Sequence, residues 1–230
     1  MKRVNFISAL LINLLVLAIC GACSEHNNTI VLPAEGVVST QVIPTEVRGA
    51  LAEYMPIYEG TTPPIITGNY LMSPCVLLYT SDGQFEQGYE FADQYMHFGE
   101  QENGIIVNYN SKQGGSYSYS NQVQVMGSGN LFTAYFINTT ERDFDDDGWN
   151  ETYTKSSVLF SGILTSDGIE NVRYAFIMLE KTDPLDKIMD VNAFRVFTGE
   201  EERASRYYGS FAPQRKQTQK QECMEISKSL

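Results

Sequence analysis

The sequence predicts an all-β protein: an antiparallel meander of about eight strands, led by a short N-terminal helix and closed into a barrel. Tyrosine (14 residues) and phenylalanine (12 residues) are abundant, and both residue types favour strands. Glycine-containing turns separate the apolar runs, as is typical of hairpins. A long meander leaves two exposed edges unless it closes. Eight strands can close into a barrel, and a two-sheet β-sandwich is the alternative.

The N-terminal segment, residues 1–22, has the layout of a secretory signal. A short basic stretch precedes the apolar run Phe6–Ile19, which is shorter than the ~20 residues that a membrane-spanning helix needs. Gly21 and Ala22 then precede Cys23 and resemble the lipobox of bacterial lipoproteins, with Cys20 where Leu is usual. The resemblance implies a lipid on Cys23 that holds the protein at the bacterial outer membrane, on its periplasmic face or at the cell surface. The alternative is an ordinary cleaved signal.

Composition and pattern divide the chain after the signal segment into three parts. Residues 23–42 comprise the lipidated cysteine and a polar tether without periodicity. Residues 43–200 form the predicted barrel domain, which opens with a helix that starts at Thr45 and ends before Pro56, with Val47 and Leu51 on its apolar face. Residues 201–230 are rich in Gln, Lys, Ser and Glu, and are predicted to be a disordered basic tail.

The predicted strands are apolar or alternating runs bounded by Gly, Asn, Asp or Pro. The first run has two candidate bends, at Gly68 and at Pro74. The runs are Ile65–Thr80, Tyr89–Phe98, Ile105–Asn110, Ser116–Met126, Leu131–Asn138, Tyr153–Leu164, Ile169–Glu180 and Val191–Phe197.

A short helix that leads to Gly68-Asn69-Tyr70 on the first of eight strands resembles the layout of the lipocalin and calycin family. That family usually has Gly-x-Trp on its first strand and an arginine near the last strand that packs on the aromatic ring. In this chain Tyr70 stands for the Trp, and Arg195 is the candidate arginine. The resemblance implies a barrel that encloses one small ligand, and it extends over Thr45–Thr198 as architecture.

The charge balance restricts the classes of partner. The net charge is −12, and the basic residues of the mature chain concentrate after Glu202, so the barrel domain is strongly acidic. Because phosphate contacts need clustered Lys and Arg, the sequence excludes nucleic acid as a partner. It also lacks the phosphate-loop, dinucleotide, zinc-protease and nucleophile-elbow motifs, which favours a non-enzymatic protein.

The acidic run Asp143–Gly148 is a candidate calcium loop. Carboxylates at alternate positions around a glycine turn can supply the six to eight oxygens that Ca²⁺ prefers. The ligand set would be Asp143, Asp145, Asp147, the carbonyl of Trp149, and Glu151. The run resembles the first half of an EF-hand loop and departs from it at position twelve, which is Thr154. The alternative is a solvated acidic hairpin.

Tyrosines on the predicted strands are the candidate ligand-binding residues, because a tyrosine combines an apolar ring with a polar tip. The set is Tyr70, Tyr117, Tyr119, Tyr135 and, on the acidic loop, Trp149, which can stack on a sugar ring. The leading hypothesis is a lipoprotein that binds a small apolar or glycan ligand in its barrel. The second is a structural or interaction lipoprotein with a filled core that acts through its loops. The third is a glycan hydrolase with paired carboxylates.

Overall fold

The structure is a computed structural model that describes residues 40–114, 116–142, 152–184, 186 and 188–209. Its elements in chain order are the helix α1 Thr45–Leu51, the strands β1 Thr61–Thr62, β2 Gly68–Met72, β3 Cys75–Thr80, β4 Glu90–Phe91, β5 Gln94–Glu102, β6 Ile106–Gln113, β7 Ser116–Ser128, β8 Leu131–Arg142, β9 Thr152–Leu164, β10 Gly168–Thr182 and β11 Phe194–Thr198, the 3-10 turn Glu200–Glu202, and the strand β12 Arg203–Arg206.

One antiparallel sheet closes on itself to form the barrel. The strands β5 to β10 pair with their neighbours in chain order. Each position around the barrel, which we call a stave, is filled by one long strand or by two consecutive short strands. The first stave consists of β2 and β3, which meet at the cis peptide Ser73-Pro74. β2 pairs with β5 and β12, whereas β3 pairs with β4 and β11. The last stave bends at Glu200–Glu202, and both of its halves, β11 and β12, pair with β10. The ring therefore has eight staves.

The predicted fold class is confirmed: the chain is a closed eight-stranded antiparallel barrel, lipocalin-like, with one short helix. The turn chemistry explains why the meander forms. In the β5–β6 turn, Asn103 and Gly104 both have positive φ (50° and 75°), which is the backbone that a tight hairpin requires. Gly83 and Gly129 have positive φ at two other turns that the sequence predicted.

The barrel interior is filled by side chains from all eight staves. These residues alternate along each strand with outward ones, as the pleat requires. They are Ile66, Tyr70, Met72, Cys75, Leu77, Met96, Phe98, Val107, Tyr109, Val123, Val125, Phe132, Ala134, Phe136, Val158, Phe160, Ile169, Val172, Phe197 and Ala204.

A second apolar cluster lies on the outside of the barrel, beneath α1. Val47 and Leu51 project from one side of the helix and, with Val42 and Met55, pack on outward side chains of β7 to β11. Tyr54 stacks on Tyr79 with the ring centroids 4.1 Å apart. The helix and its flanking residues therefore cover one flank of the barrel, and the strands of that flank are buried on both faces.

The predicted start of the disordered tail needs a correction. The sequence placed the boundary at residue 200, but Arg203–Arg206 forms β12 and closes the ring between β10 and β2. The strand is hard to see in the sequence because Ala204 is its one buried side chain, so its apolar pattern is minimal. Residues 210–230 lie outside the described residues.

Candidate functional site

The tyrosines predicted to bind a ligand lie in three different environments. Tyr70 is buried inside the barrel, and Tyr135 is buried outside it, beneath α1. Tyr117 and Tyr119 are 47% and 50% exposed on the outer surface of β7. The barrel therefore does not bring these four side chains together around one cavity.

A continuous series of aromatic rings occupies the barrel interior. Phe160 is at its centre, with ring centroids 5.8 Å from Phe98, 5.2 Å from Tyr109 and 4.9 Å from Tyr174. Tyr174 in turn stacks on Phe197 at 5.3 Å. These separations are typical of packed aromatic pairs. The interior at this level is thus occupied by the protein's own side chains.

Arg206 covers one end of the barrel. Its guanidinium lies 5.0 Å from the centroid of the Tyr70 ring, and its Nη1 donates a hydrogen bond to the Thr67 carbonyl at 3.2 Å. Arg206 and Tyr70 are directly paired residues of β12 and β2. Gly68, with φ of 146°, leaves room for this arrangement, because a Cβ there would lie 2.4 Å from Arg206 Nη1. Burial raises the pKa of Tyr70, and the neighbouring charge of Arg206 partly offsets that rise.

The prediction that Arg195 packs on Tyr70 is wrong. Arg195 lies near the other end of the barrel, where its Nη2 is 2.6 Å from Asp82 Oδ2 and its guanidinium lies over the Phe85 ring at 4.9 Å. Burial opposes ionisation of Asp82, but hydrogen bonds from Thr80, a backbone amide and Arg195 together hold its pKa below the usual range. Arg206, on the last strand, makes the ring contact that the lipocalin resemblance implied.

The hairpin between β3 and β5 covers this second end. Phe85, Tyr89 and Phe91 pack against one another with ring centroids 4.8–5.1 Å apart, and Phe91 also contacts Phe197 of the interior at 5.5 Å. Phe85 and Phe91 are partly buried against the core cluster. Aromatic side chains from one hairpin therefore shield the interior rings at this end.

Polar groups lie inside the barrel close to that end. Burial raises the pKa of the Cys75 thiol to about 12 and raises the pKa of Tyr109 well above its ordinary value. The Tyr109 hydroxyl shares hydrogen bonds with Ser111 and Gln94, both of which are buried. Cys75 is thus a protonated thiol that packs as a small buried side chain in this interior.

Tyr135 has a structural role on the flank that α1 covers. Its hydroxyl donates to Gln124 Oε1 at 2.9 Å, with the Met126 sulfur at 3.6 Å, and burial raises its pKa to about 12. Beside it, the Ser157 hydroxyl donates to the Val42 carbonyl. These bonds fix the covered flank and leave Tyr135 inaccessible to a ligand.

The outer surface of β2, β5, β6 and β7 is the candidate functional site. Its outward residues combine tyrosine rings with amide, imidazole and ammonium groups, and we call this surface the tyrosine–amide face. The face comprises Asn69, Tyr95, His97, Asn110, Lys112, Tyr117, Tyr119 and Tyr207.

Strand register aligns these side chains in two rows that run across the strands. In one row, Tyr95 pairs with Lys112, and Lys112 pairs with Tyr117. In the other, His97 pairs with Asn110, and Asn110 pairs with Tyr119. Directly paired side chains have Cβ atoms ~5 Å apart, so each row is a continuous surface of side chains.

Contacts within the face hold its groups in place. His97 Nδ1 lies 2.6 Å from Asn69 Oδ1, which fixes the imidazole ring. The Lys112 ammonium lies 5.6 Å from the centroid of the Tyr117 ring, and Tyr207 meets Tyr95 edge to face at 5.3 Å. The arrangement is a preorganised surface of rings and hydrogen-bonding groups.

Sequence reasoning found Tyr117 and Tyr119 but missed the rest of the face. His97 belongs to the face through its contact with Asn69. Asn110 and Lys112 join the face through the β5–β6–β7 register, which single-sequence patterns do not determine. The signal that was available is the strict alternation Tyr117-Ser118-Tyr119-Ser120, which places two tyrosines on one side of a strand.

Carboxylates of the β10–β11 loop converge on Lys181, near the end of β10. Its ammonium lies 3.0 Å from Asp190 Oδ1, 3.6 Å from Asp186 Oδ1 and 3.9 Å from Asp183 Oδ2. The hydrogen bond to Asp190 and the neighbouring carboxylates raise the pKa of Lys181. The single ammonium thus pairs with three carboxylates at once, and the cluster keeps a net negative charge.

Several predicted site residues lie outside the described residues. They are Cys23, Asp143, Asp145, Asp147, Trp149 and Glu151, so the lipid anchor and the calcium loop remain predictions. Within the described ranges, no cluster of three or more His, Cys, Asp or Glu residues is placed to hold a metal ion. Among the same residues, no helix has the length and apolarity needed to cross a bilayer.

Comparison with protein-family models, with curated proteins and with solved structures gave no match.

Proposed function

We propose that this protein is a non-enzymatic lipoprotein of the bacterial cell envelope that binds a glycan on its tyrosine–amide face. The barrel would act as a filled scaffold for that face. Lipid on Cys23 would hold the protein at the outer membrane, on the periplasmic side or at the cell surface. The observation that carries the proposal is the alignment of exposed tyrosines with amide, imidazole and ammonium groups across three paired strands.

The chemistry of the face matches the two-sided chemistry of a sugar. A pyranose ring has an apolar face of C–H groups, which stacks on an aromatic ring, and an edge of hydroxyls that both donate and accept hydrogen bonds. Tyr117 and Tyr119 present the rings, whereas Asn110, His97 and Lys112 present the polar partners. A purely apolar partner would take these polar groups out of water without replacing their hydrogen bonds, and this loss would weaken binding.

The packing of the interior favours a site on the outer face over a ligand inside the barrel. The Phe160 ring and its neighbours occupy the centre, Arg206 covers one end, and the hairpin with Phe85 and Phe91 shields the other. A ligand of several atoms would have to displace protein side chains.

The double variant Tyr117→Ala/Tyr119→Ala tests the face directly. Loss of two stacking rings at roughly 0.5–1.5 kcal/mol each should weaken glycan binding about tenfold or more. A glycan array would identify the ligand, and titration calorimetry would measure the affinity. Tyr89→Ala is the matched control, because Tyr89 is 49% exposed but lies on the β3–β4 hairpin, away from the face. Equal weakening by both variants, or binding unaffected by the double variant, would reject the face as the site.

The anchor is tested separately by Cys23→Ser. The variant should move the protein from the membrane fraction to the soluble fraction, because two or three acyl chains at ~0.8 kcal/mol per buried methylene are lost together. Cys20→Ser is the control and should stay in the membrane fraction, since Cys20 precedes the expected cleavage site. Continued membrane association of Cys23→Ser would contradict a lipid anchor at this residue.

A further inference from the structure

We propose that the glycan of this face is an extended, uncharged, β-linked chain that runs across the strands and stacks at two separate points. This inference rests on the proposed function and specifies its ligand. One stacking point is Tyr95 with Tyr207, and the other is Tyr117 with Tyr119. The polar strip between them, formed by Asn110 and Lys112 of β6, would bind the hydroxyls of the intervening sugar.

The spacing of the two stacking points follows from the strand order. Tyr95 is on β5 and Tyr117 is on β7, with Lys112 of β6 directly between them in register. Neighbouring strands lie ~4.8 Å apart, so the two tyrosines are two strand spacings apart, about 10 Å. That distance is close to the length of one disaccharide unit in an extended β-1,4-linked chain. Sugars one and three would therefore stack on the two tyrosines.

The two stacking points differ in how their tyrosines are arranged. Tyr207 follows β12, and its amide bonds the Asn69 carbonyl at 3.0 Å, which extends the sheet by one more pairing. Its ring meets Tyr95 edge to face, so the pair forms a compact aromatic step at one side of the face. Tyr117 and Tyr119 lie side by side on the same strand face at the other side. The face thus has an aromatic group at each margin and a polar centre.

Charge favours an uncharged chain. The protein carries a net charge of −12, which repels an acidic polymer at long range. On the face itself, Lys112 is the one residue of the set with a permanent positive charge, and its ammonium already lies over the Tyr117 ring. The remaining donors and acceptors are amides, tyrosine hydroxyls and the His97 imidazole, which can pair with sugar hydroxyls.

Barrel curvature sets the length of chain that the face can hold. The outer surface of a closed eight-stranded sheet is convex, whereas an extended β-linked chain is stiff and nearly straight. The chain can therefore contact the margin tyrosines and the strip between them, but it leaves the surface beyond them. Affinity should rise until both aromatic groups are engaged and then level off.

The experiment is titration calorimetry of the purified full-length protein in detergent with four β-1,4-linked oligosaccharide series: gluco-, xylo-, manno- and N-acetylglucosamine-based. Each series runs from disaccharide to hexasaccharide. In the series that binds, the trisaccharide should bind about tenfold more tightly than the disaccharide, because the second stacking contact becomes intramolecular. The hexasaccharide should be within about twofold of the tetrasaccharide. Tyr95→Ala and Tyr117→Ala should each remove the gain between disaccharide and trisaccharide, whereas Tyr89→Ala should retain it.

The outcomes separate the two proposals. Binding that depends on Tyr117 and Tyr119 but has the same affinity at every length would overturn the two-point chain and leave the glycan face intact. Preference for an acidic glycan, with affinity that falls steeply with salt, would overturn the uncharged chain in the same way. Absence of binding in all four series and on the array would overturn the glycan face and, with it, this inference.

Discussion

Phe160→Ala is expected to lower the free energy of unfolding by about 3–5 kcal/mol, the range for aromatic-to-alanine changes in packed cores. Phe160 contacts three other rings inside the barrel, and its side chain is fully enclosed. Its removal leaves a space that those rings cannot fill without moving off their preferred rotamers. Chemical denaturation followed by far-ultraviolet circular dichroism measures the change.

The control for this prediction is Tyr208→Ala, since Tyr208 is 91% exposed and should change stability by less than ~0.5 kcal/mol. A loss below ~1 kcal/mol for Phe160→Ala would mean that the barrel interior is loosely packed in solution. That result would restore the hypothesis of a ligand inside the barrel and remove the main reason for placing the site on the outer face.

Arg206→Ala is expected to lower the free energy of unfolding by about 2 kcal/mol. The variant loses the cation–π contact with Tyr70, worth up to ~2 kcal/mol when shielded from water, and the hydrogen bond to Thr67. It also uncovers the buried end of the interior. Arg206→Lys should recover only part of the loss, because an ammonium cannot lie flat on the ring as a guanidinium does.

Arg203→Ala is the matched control on the same strand. Arg203 pairs with Glu170 at 2.8 Å, but both side chains are almost half exposed, so the pair should contribute little. A double-mutant cycle between Arg206→Ala and Tyr70→Leu should give a coupling of roughly 1 kcal/mol. Additive effects in that cycle would show that Arg206 does not stabilise the barrel through Tyr70.

The strands were predictable because local chemistry specifies them. Most predicted runs coincide with observed strands to within a few residues, as for β9, predicted as Tyr153–Leu164 and observed as Thr152–Leu164. Alternating side chains and glycine turns are local signals, so one sequence is enough to find them. β12 was missed because a four-residue strand with one small buried side chain has almost no apolar pattern.

Register was not predictable, and it decided the site. Arg195, Arg203 and Arg206 all lie near the end of the fold, and their identity says nothing about which of them meets Tyr70. The pairing of β12 with β2 determines which arginine meets Tyr70, and this pairing depends on the kink at Glu200–Glu202. Long-range pairing is set by the whole closed sheet rather than by a local window.

Whether a tyrosine on a strand lies inside or outside the barrel was not predictable, for a related reason. Alternation divides a strand into two faces but does not say which face is inside, and a tyrosine suits either. Tyr117 and Tyr119 point outwards while Ser118 and Ser120, which alternate with them, point inwards, which is the reverse of a simple apolar-inside pattern. Tyr135, on the next strand, is buried outside the barrel because α1 covers it.

Because α1 covers one flank of the barrel, the covered strands should tolerate fewer substitutions than the uncovered ones. Residues 156–162 of β9 are all buried, so each of these positions is constrained by packing on one side of the sheet or the other. On β5 and β6, by contrast, the fold needs only the inward positions, and β6 alternates buried with more exposed residues at Ile106–Ser111. The outward positions can therefore change chemistry without loss of the barrel. A library confined to the tyrosine–amide face should yield folded proteins with altered specificity, whereas the same diversity on β9 should yield few folded proteins.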